Sequence, residues 1–358
     1  MLKYRFKEVS HSLFPLFYHT TGLRFPKHLS TTYEEALNHI SSIHPDKGET
    51  CLCTNKIIAD HDLHIIIPVY NTAAYLGDCL NSVFNQESGY DVFVSIINDG
   101  STDNSAQIIE NFRTSLDGTE HQDNIEIIHQ PNQGPSCARN KALNNIRGRY
   151  IMFVDSDDTL MPGAIKALMD AAIENNAEIA EGNFTTGSSH GFAWGKVYYS
   201  KLFSNIHFPP HYWFEDTINI FYLYPLCKKK ILVPGKHYFY RQNPGSIMHS
   251  FQGTFRSIDS LWVSLRVLND YFSTGNSATQ QLFLDYIKDA LSTTSHLRTL
   301  GNEKLLQSFF KIITHTTRKY FNEYLQNNDV INILSQTSKI LVRSINQNDY
   351  RLYRTAIV

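Results

Sequence analysis

The chain has no apolar run approaching the ~18 residues that a membrane-spanning helix needs. Its first residues, Met1-Leu2-Lys3-Tyr4-Arg5-Phe6, lack the apolar core and small-residue cleavage site of a signal peptide. Neither sign of charge dominates. Lys and Arg number 32 against 34 Asp and Glu, a net charge of -2, so there is no general pull toward nucleic acid. Cysteine is sparse, at five in 358 residues. Cys51 and Cys53 are close, but no second pair follows, so a zinc centre is not expected. Cys79 and Cys137 fall in helical patterns and read as small core residues. These absences predict a reduced, cytoplasmic setting, with the inner membrane face as the other expected location. Internal repeats and low-complexity tracts are missing. So is the Gly-x-Gly-x-x-Gly turn, which disfavours a dinucleotide cofactor.

What is present is enough apolar residue, 42%, to build a proper core. The length predicts about two domains. Arg149-Tyr150-Ile151-Met152-Phe153-Val154-Asp155-Ser156-Asp157-Asp158 is the informative stretch. A short apolar run reads as a buried strand, and the carboxylates after it fall at the sheet edge where open α/β sheets bind ligands. Adjacent carboxylates repel, and burial disfavours their charged form. A hard divalent cation, Mg²⁺ or Mn²⁺, would relieve both penalties and bring phosphates with it. A solvated acidic turn capping the next helix is the plainer alternative.

Upstream, strands are expected at Leu63 to Val69, Val92 to Ile97 and Ile125 to Ile128. Helices between them carry Leu76, Leu80, Val83 and Phe84, then Ser105 to Phe112, then Cys137 to Ile146. Asn71 or Thr72 is the expected cap of the first. This rhythm means parallel strands with right-handed crossovers. Each polar cluster then lies at a strand's carboxyl end, so Tyr70, Asp99, Arg139 and Asp155 should converge on one crevice. Asp99 and Asp103 can hydrogen-bond a base or a ribose. Arg139 offers a fork for diphosphate, or only a surface ion pair.

Four segments in this order, Ile66-Ile67-Pro68-Val69-Tyr70-Asn71, Asn98-Asp99-Gly100-Ser101-Thr102-Asp103, Asn132-Gln133-Gly134-Pro135-Ser136-Cys137-Ala138-Arg139-Asn140 and Phe153-Val154-Asp155-Ser156-Asp157-Asp158, resemble the motifs of family 2 glycosyltransferases. The resemblance is close over about 62 to 175 and weaker to about 250. It implies an α/β GT-A fold, Rossmann-like, with a mostly parallel central sheet flanked by helices. It also implies a UDP-sugar donor and a divalent metal. Pro68, Val69, Tyr70 and Asp99 would hold the uridine, with Asn71 beside them in the nucleotide-sugar site. Arg139 would lie near the diphosphate or uridine. Asp155, with Ser156, would touch the ribose, and Asp157 would bind the metal together with Asp155.

The second half should supply the acceptor site and a base. Trp213-Phe214-Glu215-Asp216-Thr217 sets two carboxylates beside aromatic rings, which raises a carboxyl group toward neutral pH; a helix N-cap fits the same residues. The resemblance implies that Asp216, with Glu215 as the lesser candidate, takes the acceptor proton. Trp194 and Lys196 match a Trp-x-Lys pattern of related bacterial enzymes. Trp194 would form a stacking floor for a sugar, or else is a core residue. Arg241 would meet the leaving diphosphate, and His249 would complete the metal shell or simply lie at the surface.

The expected division is an N-terminal extension at 1–60, a catalytic domain at 61–250 and a C-terminal helical region at 251–358. Ser30 to Glu35 carries a capping-box pattern that opens a helix. Tail helices are expected near Glu303 to Asn327 and Val330 to Ile345, with packing, homo-oligomer or acceptor roles. The expected activity is inverting transfer from a UDP-sugar to a hydroxyl of a saccharide, polymer or glycoprotein, in cell-surface glycan biosynthesis. The acceptor would be a glycan, lipid-linked or protein-linked, with peripheral membrane association as an option. Two alternatives are a haloacid-dehalogenase-like phosphohydrolase, suggested by Asp155 to Leu160, and a non-catalytic sugar-nucleotide-binding partner subunit.

Overall fold

The computed structural model describes residues 25–243 and 254–356, and these form two compact units. The first helix, α1 (Tyr33–Ile43), belongs to the smaller unit. Its capping box is made as the sequence predicts: Glu35 N–H donates to Thr32 Oγ1 at 3.2 Å, and Thr32 N–H donates to the Glu35 carboxylate at 2.8 Å.

The larger unit, from 47 to 243 with 266 to 273, holds the sheet. Its elements run β1 (Lys56–Val69), α2 (Leu76–Phe84), β2 (Val92–Asn98), α3 (Ser105–Ser115), β3 (Ile125–His129), α4 (Pro135–Leu143), β4 (Asn145–Phe153), β5 (Thr159–Leu160), α5 (Ala164–Glu174), β6 (Ile179–Phe184), β7 (Gly187–Ser188), β8 (Lys196–Tyr199) and β9 (Lys230–Phe239). The order across the sheet is β3-β2-β1-β4-β8-β6-β9-β5, with β7 on β6. β3, β2, β1 and β4 are parallel neighbours, while β8 runs antiparallel to both β4 and β6. β1 is central among the parallel strands, so it is buried on both faces from Leu63 to Ile67, a run that is apolar except for His64, which bonds to Ser95 Oγ at 2.8 Å. Leu63, Ile65, Ile67 and Val69 share a core with α2 and α5.

Register places the site. Val69 lies opposite Asn98, so β1 and β2 end level, while β4 ends at Phe153 opposite Ile66 and the Asp-x-Asp segment continues from there along the end of β1. The turn after β1 differs from expectation. The helix starts at Leu76, and neither Asn71 nor Thr72 caps it with a side chain. Asn71 instead takes a left-handed φ of 52°, which asparagine tolerates. Its Oδ1 accepts the Thr102 N–H at 2.7 Å, tying the ends of β1 and β2 together. Gly100 closes this corner. At φ +70° it lies so near the next loop that a Cβ would sit 2.7 Å from Asn132 N.

The smaller unit is helical: α1 packs along α8 (Glu303–Phe321), and α7 (Gln280–Arg298), α9 (Gln336–Gln347) and α10 (Tyr350–Ala356) complete it. α6 (Asp259–Ser273) contributes its first half here and its second half to the larger unit. Where the periodicity predicts helices to Asn327 and from Val330, α8 ends at Phe321, a short helix spans Asn328–Asn332, and α9 begins at Gln336, behind a Ser335 cap. Among the described residues, no helix is long and apolar enough to cross a membrane.

Candidate active site

The site is assembled around one guanidinium. Asp99, almost fully buried, receives the Gln130 side chain at 2.7 Å and the backbone N–H groups of Gln133 at 2.9 Å and Gly134 at 2.8 Å. Those bonds shape the loop that launches α4, whose first residue is Pro135. They also occupy both oxygens of Asp99, so this carboxylate builds the crevice wall. α4 then delivers Arg139, 3% exposed. Its Nη2 donates to Asp155 Oδ1 at 2.8 Å and its Nη1 to Glu215 Oε1 at 2.6 Å, with the Phe208 ring 5.3 Å away. Burial works against the cation, but the charges of Asp155, Glu215 and Asp216 outweigh it and hold Arg139 above its ordinary range. The fork is therefore neither a surface pair nor free to meet a diphosphate unassisted.

Glu215 and Asp216 arrive on a strained turn. Phe214 has a φ of 64°, a conformation costly for a bulky side chain and common at functional sites. Asp216 does not cap the following helix. Its carbonyl accepts the Asn219 N–H at 2.9 Å, while its Oδ1 is buried with no hydrogen-bond partner. Burial first, then the charge of Glu215, pushes its carboxyl up to about 8, with Arg139 pulling the other way. The helix that follows opens with a π-turn, Asn219–Leu223. Asn219 is fully buried and accepts the Tyr198 hydroxyl at 2.7 Å, which fixes the base of the Asp216 turn on β8.

The Asp-x-Asp segment is held from three sides. Tyr238 OH accepts the Asp155 N–H at 3.0 Å, and Thr72 donates to Ser156 Oγ at 2.9 Å. Asn243 Nδ2 donates to Asp157 Oδ2 at 2.9 Å. Arg241 donates from Nε to the Asp157 carbonyl at 2.9 Å, and its backbone N–H reaches Asp158 Oδ1 at 2.8 Å. Burial and the charge of Asp155 raise Asp157, and the same causes push Asp158 up to about 8. Among the described residues no group of three or more His, Cys, Asp or Glu side chains is gathered as a metal centre. The fit to a divalent cation rests on the repelling Asp155–Asp157 pair and on the buried, unpartnered Oδ2 of Asp158.

Tyr70 is about half exposed at the strand end, Pro68 is half-buried and Val69 is in the core. His249 lies outside the described residues. Trp194 and Lys196 need correction. Trp194 is 3% exposed and stacks on Phe192 and Tyr238, each with centroids 4.5 Å away, so it is core rather than a sugar floor. Lys196 is fully buried. Its Nζ donates to Ser189 O at 2.7 Å and meets Glu181 Oε2 at 3.2 Å and Tyr224 OH at 2.7 Å. Burial pulls it down to about 8, and burial acting against ion pairing leaves Glu181 at about 2. Gly195 between them has a φ of +75°, and a Cβ there would sit 2.8 Å from the buried Ser189 side chain, so the position favours glycine on both counts. Trp194→Ala should therefore cost about 3–5 kcal/mol in thermal or urea unfolding. Unchanged stability with a raised acceptor KM would restore the stacking role. Sequence reasoning missed Tyr238, Asn243 and the Glu181–Lys196–Tyr224 cluster; only the third Asp of the triplet carried a readable signal.

Residues 64–228 match the model for glycosyl transferase family 2. The chain is 36% identical over 155 residues to "Glycosyltransferase GlyA" of Streptococcus pneumoniae, spanning 42% of this chain but only 21% of that protein. It is 24% identical over 292 residues to "Glycosyltransferase GlyG" of the same organism, covering 70% of this chain and 94% of that one. The solved structure of S. aureus TarS 1-349 in complex with UDP-GlcNAc superposes with a TM-score of 0.64 at 18% identity, over 82% of this chain and 90% of that one. That likeness gives the fold: a GT-A-like sheet flanked by helices with a helical C-terminal region.

Proposed function

From the match of residues 64–228 to the model for glycosyl transferase family 2, we propose an inverting transfer of a sugar from a UDP-linked donor to an acceptor hydroxyl. The larger unit carries the reaction, within the boundaries 61–250, and 1–60 and 251–358 flank it. The observation that supports this reading most is the Arg139 bridge. It joins the Asp-x-Asp strand end to the Glu215–Asp216 turn, so donor-side and acceptor-side carboxylates share one wall.

Tyr70 and Asn71 face the nucleotide in this reading, and the turn built by Asp99 closes behind it. Asp157, with Asp155, would hold a divalent cation, which neutralises diphosphate charge as UDP leaves. Arg241, fixed on the carbonyl of Asp157, lies beside the same phosphates. Asp216 accepts the proton of the attacking hydroxyl through its unpartnered Oδ1. Attack from the face opposite UDP inverts the anomeric carbon, whose transition state has oxocarbenium character. UDP as the nucleotide is supported by the UDP-GlcNAc bound to the TarS structure. Bacillus subtilis "Minor teichoic acid biosynthesis protein GgaA", 40% identical over 110 residues, supports a glycan or wall-polymer acceptor.

The test is UDP release by the purified chain from a panel of UDP-sugars, with Mn²⁺ or Mg²⁺. One donor should be turned over, and EDTA should stop release until metal is restored. Turnover undiminished by EDTA removes the cation from the mechanism. No turnover with any nucleotide-sugar favours the non-catalytic alternative. The phosphohydrolase alternative loses its support, because the family match spans the Asp-x-Asp strand itself.

A further inference from the structure

The smaller unit carries a cavity of about 560 Å³ that the proposed transfer does not use. Tyr33 of α1 lines one side, and Lys311, Thr314, His315, Arg318 and Lys319 of α8 line the other, with Asn348 at the edge. The spacing of 311, 315, 318 and 319 puts all four basic side chains on one face of the helix. Among the described residues, no carboxylate pairs with any of them. Two are anchored only on neutral carbonyls: Arg318 Nη2 on Ile345 O at 3.0 Å and Asn346 O at 3.2 Å, and Lys311 Nζ on Leu29 O at 3.3 Å. Those bonds hold the cations in place without discharging them. His315 is fixed by stacking on Tyr33, with centroids 3.9 Å apart and planes at 15°. Beneath them Thr314 is 3% exposed, and its Oγ1 is buried with no hydrogen-bond partner. A buried hydroxyl left unpaired is costly, and here it lines the same cavity.

In a chain of net charge -2, Lys311, Arg318 and Lys319 concentrate positive charge around an unsatisfied hydroxyl. We propose that this cavity binds the phosphate group of a phosphate ester. Lys311 and Arg318 would meet its oxygens, and Thr314 would supply a hydroxyl donor. A phosphate suits it better than a carboxylate. A tetrahedral group with oxygens on several sides can use donors converging from α8, whereas a planar carboxylate is met by a single fork. The site lies wholly in the smaller unit and does not depend on the transferase reading.

The test is calorimetric titration of the full chain with glycerol 3-phosphate in EDTA. In parallel, the chain is floated with phosphatidylglycerol vesicles. Saturable binding in solution is expected, about tenfold weaker in the Lys311→Met/Arg318→Gln double variant. It should weaken again in Thr314→Val and stay unchanged in Asp157→Asn. Binding to the soluble ester alone identifies a free or glycan phosphate; flotation lost in the double variant identifies a lipid headgroup. If the double variant does not fold, Lys319→Gln, an exposed position, gives the same reading with a smaller loss. No saturable binding of either probe overturns the proposal. So does binding that survives the substitutions, or binding that Asp157→Asn abolishes.

Discussion

Asp216→Asn is expected to abolish sugar transfer, by about 10²–10⁴-fold for loss of a general base, while UDP binding is retained. The same substitution should make the protein more stable at pH 8. Asp216 carries its proton up to about 8 in the folded chain because burial and Glu215 disfavour its charge, whereas an unfolded aspartate ionises near ~3.9. Between those values the unfolded chain releases a proton that the folded chain keeps. Native stability therefore declines as pH climbs through this window and levels off above it. Asparagine removes the effect. Each 1 kcal/mol relieved should raise the melting temperature by about 2–4 °C at pH 8, and the difference should vanish near pH 4. The wild-type rate should rise with pH toward about 8 as the base loses its proton. Glu215→Gln should move that limb to lower pH, because one of the charges that raises Asp216 is gone. An Asn variant that still transfers sugar, or one that melts lower at pH 8, would refute the assignment of the base.

The parts of this fold that can be read from the chain are those set by local chemistry. Alternation of strand and helix, the parallel run β3-β2-β1-β4 and the placement of Asp99 and Asp155 at strand ends follow from apolar runs broken by polar turns. What Asp99 does there does not follow. Its partners lie 31 to 35 residues away, and a loop closing on a carboxylate leaves no periodic trace. Asn71 shows the same limit. As a residue type it fits a helix cap or a left-handed corner equally, and only the approach of Thr102 selects the corner. Trp194 and Lys196 fail for a different reason. A tryptophan and a lysine two residues apart suggest a ligand site, but β8 lies inside the sheet between β4 and β6, so both side chains are enclosed. The Asp216 environment depends on Arg139, 77 positions earlier, which no spacing argument reaches.

Arg139→Met should be the most damaging single change in the larger unit. The guanidinium is 3% exposed and is the one cation bonded to both Asp155 and Glu215 among the described residues. Methionine fills much of the volume but leaves the Asp155 and Glu215 carboxylates without their shared cation, and removes a charge that holds Asp216 down. Removing one partner of a buried ion pair costs about 3–5 kcal/mol, readable as a fall in the urea midpoint. Donor turnover should fail as well, since the Asp-x-Asp end and the Glu215–Asp216 turn lose their tie. Residual activity should shift to higher pH, because Arg139 is the larger of the two cationic influences, with Lys196, that pull Asp216 down. Lysine should rescue little: a point charge cannot span two carboxylates as a planar fork does. Combining Arg139→Met with Glu215→Gln separates charge from packing. If uncompensated charge is the cause, the double variant should regain about 0.5–3 kcal/mol over the sum of the single losses. Strict additivity, or an Arg139→Met protein with an unmoved urea midpoint, would mean that the bridge does not organise the site.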